Sequence, residues 1–202
     1  MAQDHFEQHN HYDGVVDWNF NVVYDNQPTI VAMTQAYAPM LSRPELYDPI
    51  PTEWLHATIL RVGTVEDYTE AEMLAVADKV QAAVANITLP EFHFGNHVMI
   101  YGNICFKVEP ESELEKLYNI VAESLESVVG PGRATKTPHK RFIAHTSLAY
   151  TKTQNHEAEI EAEINAANIE PAKFKITRMP LIKQRPTNGH YEWDIVKDIK
   201  LS

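Results

Sequence analysis

The chain of 202 residues has few of the side chains that build covalent cross-links, metal centres or glycine-rich loops. Its one cysteine, Cys105, lies in the apolar run Ile104-Cys105-Phe106. An internal disulfide is therefore excluded, and a buried thiol in a reducing compartment is expected. The seven glycines include no G-x-x-x-x-G-K pattern, so a P-loop is excluded. His-Glu-x-x-His is absent as well, and no apolar stretch approaches the ~20 residues a membrane-spanning helix needs. Residues 1–14 are polar, acidic and His-rich, without the basic flank and apolar segment of a secretory signal. They read as a disordered tail ahead of one domain over 15–202, and a cytoplasmic location is expected. Positive charge is scarce too: 17 Lys and Arg stand against 28 Asp and Glu, for a net charge of −11. That balance argues against a protein that grips long nucleic acid through many phosphates.

What the chain does contain is a short pattern used twice. His56-Ala57-Thr58-Ile59 and His145-Thr146-Ser147-Leu148 both read His-x-Thr/Ser-aliphatic. Each sits in an apolar run with strand character, from Trp54 to Leu60 and from Phe142 to Tyr150. Positions i and i+2 of a strand project to one face about 7 Å apart, so each run offers an imidazole beside a hydroxyl. A lone copy would be weak evidence, since a core histidine satisfied by hydrogen bonds gives the same pattern. Two copies in separate halves of the chain supply two proton carriers and two hydrogen-bond donors, which suffices for acid–base chemistry at a phosphate.

Elsewhere the pattern alternates helices and strands. A first strand is expected at about Val15 to Tyr24, with one buried and one polar face, then helical spacing over residues 28–42 and a proline-punctuated turn from Pro44 to Pro51. Thr69 to Ala85 predicts an amphipathic helix opened by a capping box, Thr69 with Glu72. Pro90 to Pro110 predicts strands broken at Gly95-Asn96 and Gly102-Asn103. Helices at about Glu111 to Val129 and Asn155 to Ala167 follow, the first stopped by Gly130-Pro131-Gly132. Strands at Lys173 to Lys183 and Tyr191 to Ile199 close the chain. No linker divides it into independent domains.

With these stretches the chain resembles the 2H phosphoesterase superfamily, and in particular its bacterial 2′-5′ RNA ligase-like branch. The resemblance rests on Pro51 to Ile59 and Phe142 to Tyr150, with the closing Tyr191-Glu192-Trp193 strand in support, and its element order runs from about Val15 to Leu201. Ile59 stands where Leu is common, and the second hydroxyl is Ser147; neither departure removes a chemical group. The resemblance implies an α+β fold of two lobes, two antiparallel sheets facing a central groove with helices outside. It implies His56 and His145 as the catalytic acid and base, with Thr58 and Ser147 on the phosphate. The expected reaction opens a 2′,3′-cyclic phosphate, or cleaves or forms a 2′-5′ phosphodiester, in a small nucleotide or RNA end, acting as a monomer. Two rivals stay open: a phosphodiesterase for a cyclic phosphate outside RNA, and a nucleotide-binding module with the same groove and weak turnover.

Neither a cofactor nor a metal is required by this scheme. The one metal alternative uses His93 and His97 with His139 or His190, a set without Cys or helical His spacing behind it. Positive charge is uneven: before position 60 the only basic residue is Arg43, whereas ten fall between Arg133 and Arg185, including Lys136, Lys140 and Arg141 ahead of the second motif. They read either as a local anion-attracting surface or as scattered solvated residues. Arg141 is a further substrate-binding candidate: it either holds a distal phosphate or solvates a strand end about 13 Å from His145. Tyr191 and Trp193 either stack a base or belong to the core, the core being the stronger reading for Trp193.

Overall fold

A computed structural model describes residues 14–25, 27–100, 103–134, 142–152, 157–187 and 189–201. Residues 1–13 of the expected tail, the start of the helix at Asn155, and Lys136, His139, Lys140 and Arg141 lie outside the described residues, as does the side chain of His97.

Among the described residues, nine strands form two sheets, every paired neighbour antiparallel. The strands are β1 (Asp17–Val23), β2 (Tyr47–Pro49), β3 (His56–Thr64), β4 (Phe92–Ile100), β5 (Asn103–Glu109), β6 (His145–Thr151), β7 (Lys173–Phe174), β8 (Leu181–Thr187) and β9 (His190–Lys197). One sheet runs β3-β1-β8-β9 and the other β2-β6-β5-β4-β7. The helices are α1 (Pro28–Leu41), α2 (Glu70–Val84), α3 (Glu111–Val129) and α4 (Glu157–Ala167). Helices α2 and α3 pack on each other, with α3 against β3, while α1 packs on α4, β2 and β7. The two motif strands, β3 and β6, meet across the sheets. This is the α+β architecture that the family resemblance implied.

Local chemistry explains the element ends. Thr69 caps α2: its hydroxyl accepts from the Glu72 amide at 3.3 Å, and the Glu72 carboxylate accepts from the Thr69 amide at 2.9 Å. At the end of α3, Gly130 takes φ +84°, open to glycine at no steric cost. Apolar positions of both helices are fully buried, among them Met73, Val76, Val80, Leu114, Leu117 and Val121.

Four expectations need correction. Strand β1 is buried on both faces, including Asp17, Asn19 and Asn21: its apolar face meets the core and its polar face lies inside the protein. The Pro44–Pro51 turn contains strand β2, whose edge position tolerates Pro49 because no further ladder needs its missing N–H. Gly95-Asn96 does not break the strand but is a register shift inside β4. A Cβ at Gly95 would fall 2.5 Å from the Glu109 carboxylate on β5, so the bulge uses glycine for close approach. Finally, Lys173 to Lys183 is two strands in different sheets, the chain crossing over ahead of Pro180, which lacks an N–H.

Candidate active site

Both motif strands begin at the histidine itself. Ahead of His56 a short 3₁₀ turn, Thr52–Trp54, is closed by the Trp54 amide on the Pro51 carbonyl at 2.9 Å. Ahead of His145, the Ala144 amide donates to Glu111 Oε2 at 3.3 Å and the Val108 amide to the Ala144 carbonyl at 2.9 Å. Each lead-in segment delivers the imidazole at a strand's first residue. From there both strands follow the same alternation: the histidine and the hydroxyl two residues on are half-buried, while Ala57 and Thr146 between them are buried in the opposite direction.

The two rings are held alike. His56 Nδ1 lies 2.9 Å from the Trp54 carbonyl, and His145 Nδ1 lies 2.8 Å from the Ile143 carbonyl. A carbonyl can only accept, so Nδ1 carries the proton in both rings and Nε2 becomes the atom that exchanges one. The surroundings differ. His56 packs edge-on against Trp193, ring centroids 5.0 Å apart, and Trp193 packs at right angles to Trp54 at 4.8 Å. This desolvation pushes the His56 pKa down to about 4; the Trp54 carbonyl opposes the shift and the nearby His145 adds to it. His56 is therefore neutral at pH 7, and the two imidazoles are close enough to sense each other's charge.

The hydroxyls occupy matching places. Thr58 pairs with Asn21 across β1, and Ser147 pairs with Cys105 across β5, with Cys105 Sγ 3.3 Å from Ser147 Oγ. Cys105 is buried, as its apolar run implied. Tyr191 is buried edge-on against Tyr150, centroids 5.6 Å apart, which leaves little ring face for a stacked base. Trp193 is core, against His56.

Two cations escaped the sequence reading. Arg61 lies on the same face as Thr58 because β3 carries bulges against β1 that shift its alternation; it pairs with Asp17 at 2.9 Å. Lys107, exposed, stands directly opposite His145 on β5. A bulge leaves no trace in residue spacing, and the partner strand of His145 is fixed only by the fold. Conversely, much of the basic run after Arg133 is neutralised locally: Arg133 pairs with Glu72 at 2.6 Å, and Lys152, Lys183 and Arg185 pair with Asp48, Glu70 and Asp194, each at 2.7 Å. Of the histidines of the metal alternative, His93 and His190 lie in different sheets. His93 pairs with Glu109 at 3.3 Å in one sheet, and His190 lies 3.3 Å from Glu192 in the other. Among the described residues, no group of three or more His, Cys, Asp or Glu is arranged to hold a metal ion. Among those residues, too, no helix is long and apolar enough to cross a membrane.

Two antiparallel sheets, each contributing one His-x-Thr/Ser strand to a shared site, are the arrangement of the 2H phosphoesterases. The family model of the 2′-5′ RNA ligase superfamily matches residues 30–188, and the chain belongs to that family. Its fold is similar to that of the protein TT0787 of Thermus thermophilus, with a TM-score of 0.67 at 14% identity over 93% of this chain and 97% of that one. It is also similar to E. coli LigT in complex with 3′-AMP, with a TM-score of 0.64 at 14% identity over 93% of this chain and 99% of LigT. LigT has further been crystallised with ATP. No curated protein sequence matches the chain.

Proposed function

We propose that this protein is a metal-independent phosphoesterase that opens 2′,3′-cyclic phosphates, or cleaves or forms 2′-5′ phosphodiesters, in small nucleotides or RNA ends. The observation that carries the reading is the pair of like-supported imidazoles, each with Nδ1 committed to a backbone carbonyl, on strands that meet across the sheets.

In the proposed hydrolysis, neutral His56 is the base. Its Nε2 takes a proton from water as the water oxygen bonds to phosphorus. The bond from phosphorus to one ribose oxygen breaks, the electron pair stays on that oxygen, and His145 supplies the proton from Nε2. Thr58 and Ser147 donate to the non-bridging oxygens, whose charge grows in the transition state. With a 5′-hydroxyl in place of water the same steps run in the same direction and join two ends: its oxygen bonds to phosphorus as His56 takes its proton, and the ribose oxygen that leaves is protonated by His145. His56 takes the base role because desolvation by Trp193 favours its neutral form; the proton then starts on His145. The LigT complexes with 3′-AMP and ATP support a nucleotide as the ligand class.

The test is a panel of 2′,3′-cyclic nucleotides, 2′-5′ dinucleotides and non-nucleoside cyclic phosphates, with product analysis. Turnover of the first two classes, abolished in His56→Ala and His145→Ala, is expected. Turnover confined to the third would give the site a different substrate, and binding of nucleotides without turnover would make it a binding module.

A further inference from the structure

We propose that Tyr24 is a positioning residue: its phenol, hydrogen-bonded to the Thr146 hydroxyl, is a strut that fixes the second motif against the first. This rests on the reading of His56 and His145 as one acid–base pair, which must act on a single phosphorus from strands in different sheets. Tyr24 joins those strands through both its backbone and its side chain. It follows directly on Val23, the β1 residue whose ladder partner is His56. Its side chain crosses to the other sheet, where the ring packs edge-on against Phe94 on β4 and Phe174 on β7, centroids 5.5 and 5.0 Å away. There the phenol bonds to Thr146, the residue between His145 and Ser147.

Burial makes the bond persistent. Tyr24 is 2% exposed and Thr146 0%. Thr146 sits opposite Phe106 on the core face of β6, where a hydroxyl without a partner would be costly. Burial also pushes the Tyr24 pKa up, so the phenol keeps its proton throughout the range in which histidines titrate. The root of the strut is held as well. Asp25 takes φ +50°, a left-handed turn, and its carboxylate accepts from Arg178 Nε at 2.9 Å. Two residues on, the Gln27 side chain clamps the Lys175 backbone, donating to its carbonyl at 2.7 Å and accepting from its amide at 3.0 Å. With root and ring both held, Tyr24 passes the place of β1 on to β6. Thr146 projects away from His145 and Ser147, so it acts through the strand and not on the phosphate. Tyr24 lies outside both His-x-Thr/Ser motifs, which is why motif spacing does not single it out.

Small substitutions at the two ends test the strut. Tyr24→Phe keeps the ring and removes the hydroxyl, Thr146→Val keeps the side-chain shape, and Thr146→Ser keeps the hydroxyl. Urea melts establish that each variant folds; if Tyr24→Phe does not, the two Thr146 variants carry both arms below. With 2′,3′-cyclic AMP, Tyr24→Phe and Thr146→Val are each expected to lower kcat by about tenfold or more with KM within about twofold, because slight misplacement of reacting groups costs rate. The double variant should lose little beyond either single one, and Thr146→Ser should hold kcat within about threefold. Lowered stability with kcat unchanged would make the bond merely structural and overturn the proposal. So would a Thr146→Ser enzyme as impaired as Thr146→Val. A second arm needs no turnover. His145 lowers the His56 pKa across the site, so His145→Ala should raise it in a nuclear magnetic resonance titration. A strut that sets the separation of the rings makes that rise smaller by about half in the Tyr24→Phe or Thr146→Val background. An undiminished rise overturns the proposal. A wild type that turns over no cyclic phosphate would sink the functional reading, while this second arm still decides the strut.

Discussion

Lowering the pH tests the proposed division of labour between the histidines most sharply. His56 is pushed from the ordinary 6.5 to about 4 by desolvation against Trp193 and Trp54, whose carbonyl opposes the shift, and by the neighbouring His145. If His56 is the base, the acid limb of kcat/KM in the free enzyme falls well below the imidazole range instead of near 6.5. The limbs belong to the coupled pair, so the diagnostic is their movement on mutation. Trp193→Leu admits water to the ring and should lift the acid limb by about one to two pH units. Stability must follow with a definite sign. The folded state holds its His56 proton more weakly than the unfolded chain, so the stability is fully present above about 6.5 and is lost as pH falls toward about 4. A shift of that size corresponds to at most ~3.5 kcal/mol, and the partial exposure of the ring reduces it to roughly 1–2 kcal/mol. The assays are a nuclear magnetic resonance titration of the His56 ring, a pH–rate profile and urea melts at pH 7 and pH 4.5. A His56 ring that titrates near 6.5 in the wild type, with an acid limb that Trp193→Leu does not move, would refute the reasoning.

Further outcomes are expected from single changes. His56→Ala and His145→Ala should each lower turnover of a cyclic phosphate by roughly 10²–10⁴-fold while melting cooperatively, and near-native activity in either would dissolve the pair. Thr58→Val should reduce kcat and leave the pH limbs in place, since it removes a donor but no proton carrier; displaced limbs would point to a different role. Activity should survive exhaustive chelation, and loss restored by one divalent ion would move the chemistry to a Lewis acid. Thr69→Ala, outside both motif strands, should cost about 1 kcal/mol in a denaturant melt with kinetics unchanged, because it opens the capping box of α2.

How much of this could be read in the sequence depended on how local the cause was. The capping box at Thr69 and Glu72, the stop at Gly130 and the alternation through each motif are set within a few residues, and the observed elements follow them. Failures occurred where the cause was distant. Strand β2 exists because β6 offers it an edge, and the break between β7 and β8 reflects two sheets competing for one run of chain. Asn19 and Asn21 look like a solvated face in sequence, but their sheet is covered on that side as well. Arg61 was missed because bulges in β3 turn an odd-numbered residue onto the face of Thr58.

The same distinction runs through the site. What is local is duplicated: each histidine starts its strand and gives Nδ1–H to the carbonyl two residues earlier, so the motif carries its own tautomer control. What is tertiary is not duplicated. His56 is dried by Trp193, which arrives from the last strand of its sheet. Two identical acid–base groups in identical surroundings would share one pKa, and neither would be favoured to begin turnover neutral. Acid–base work on a phosphate needs one proton donor and one acceptor at the same pH. A duplicated motif can therefore supply the groups, but only unequal packing around them can assign the roles. On this argument Trp193, outside both motifs, does as much to fit His56 for the proposed role of base as the motif that contains it.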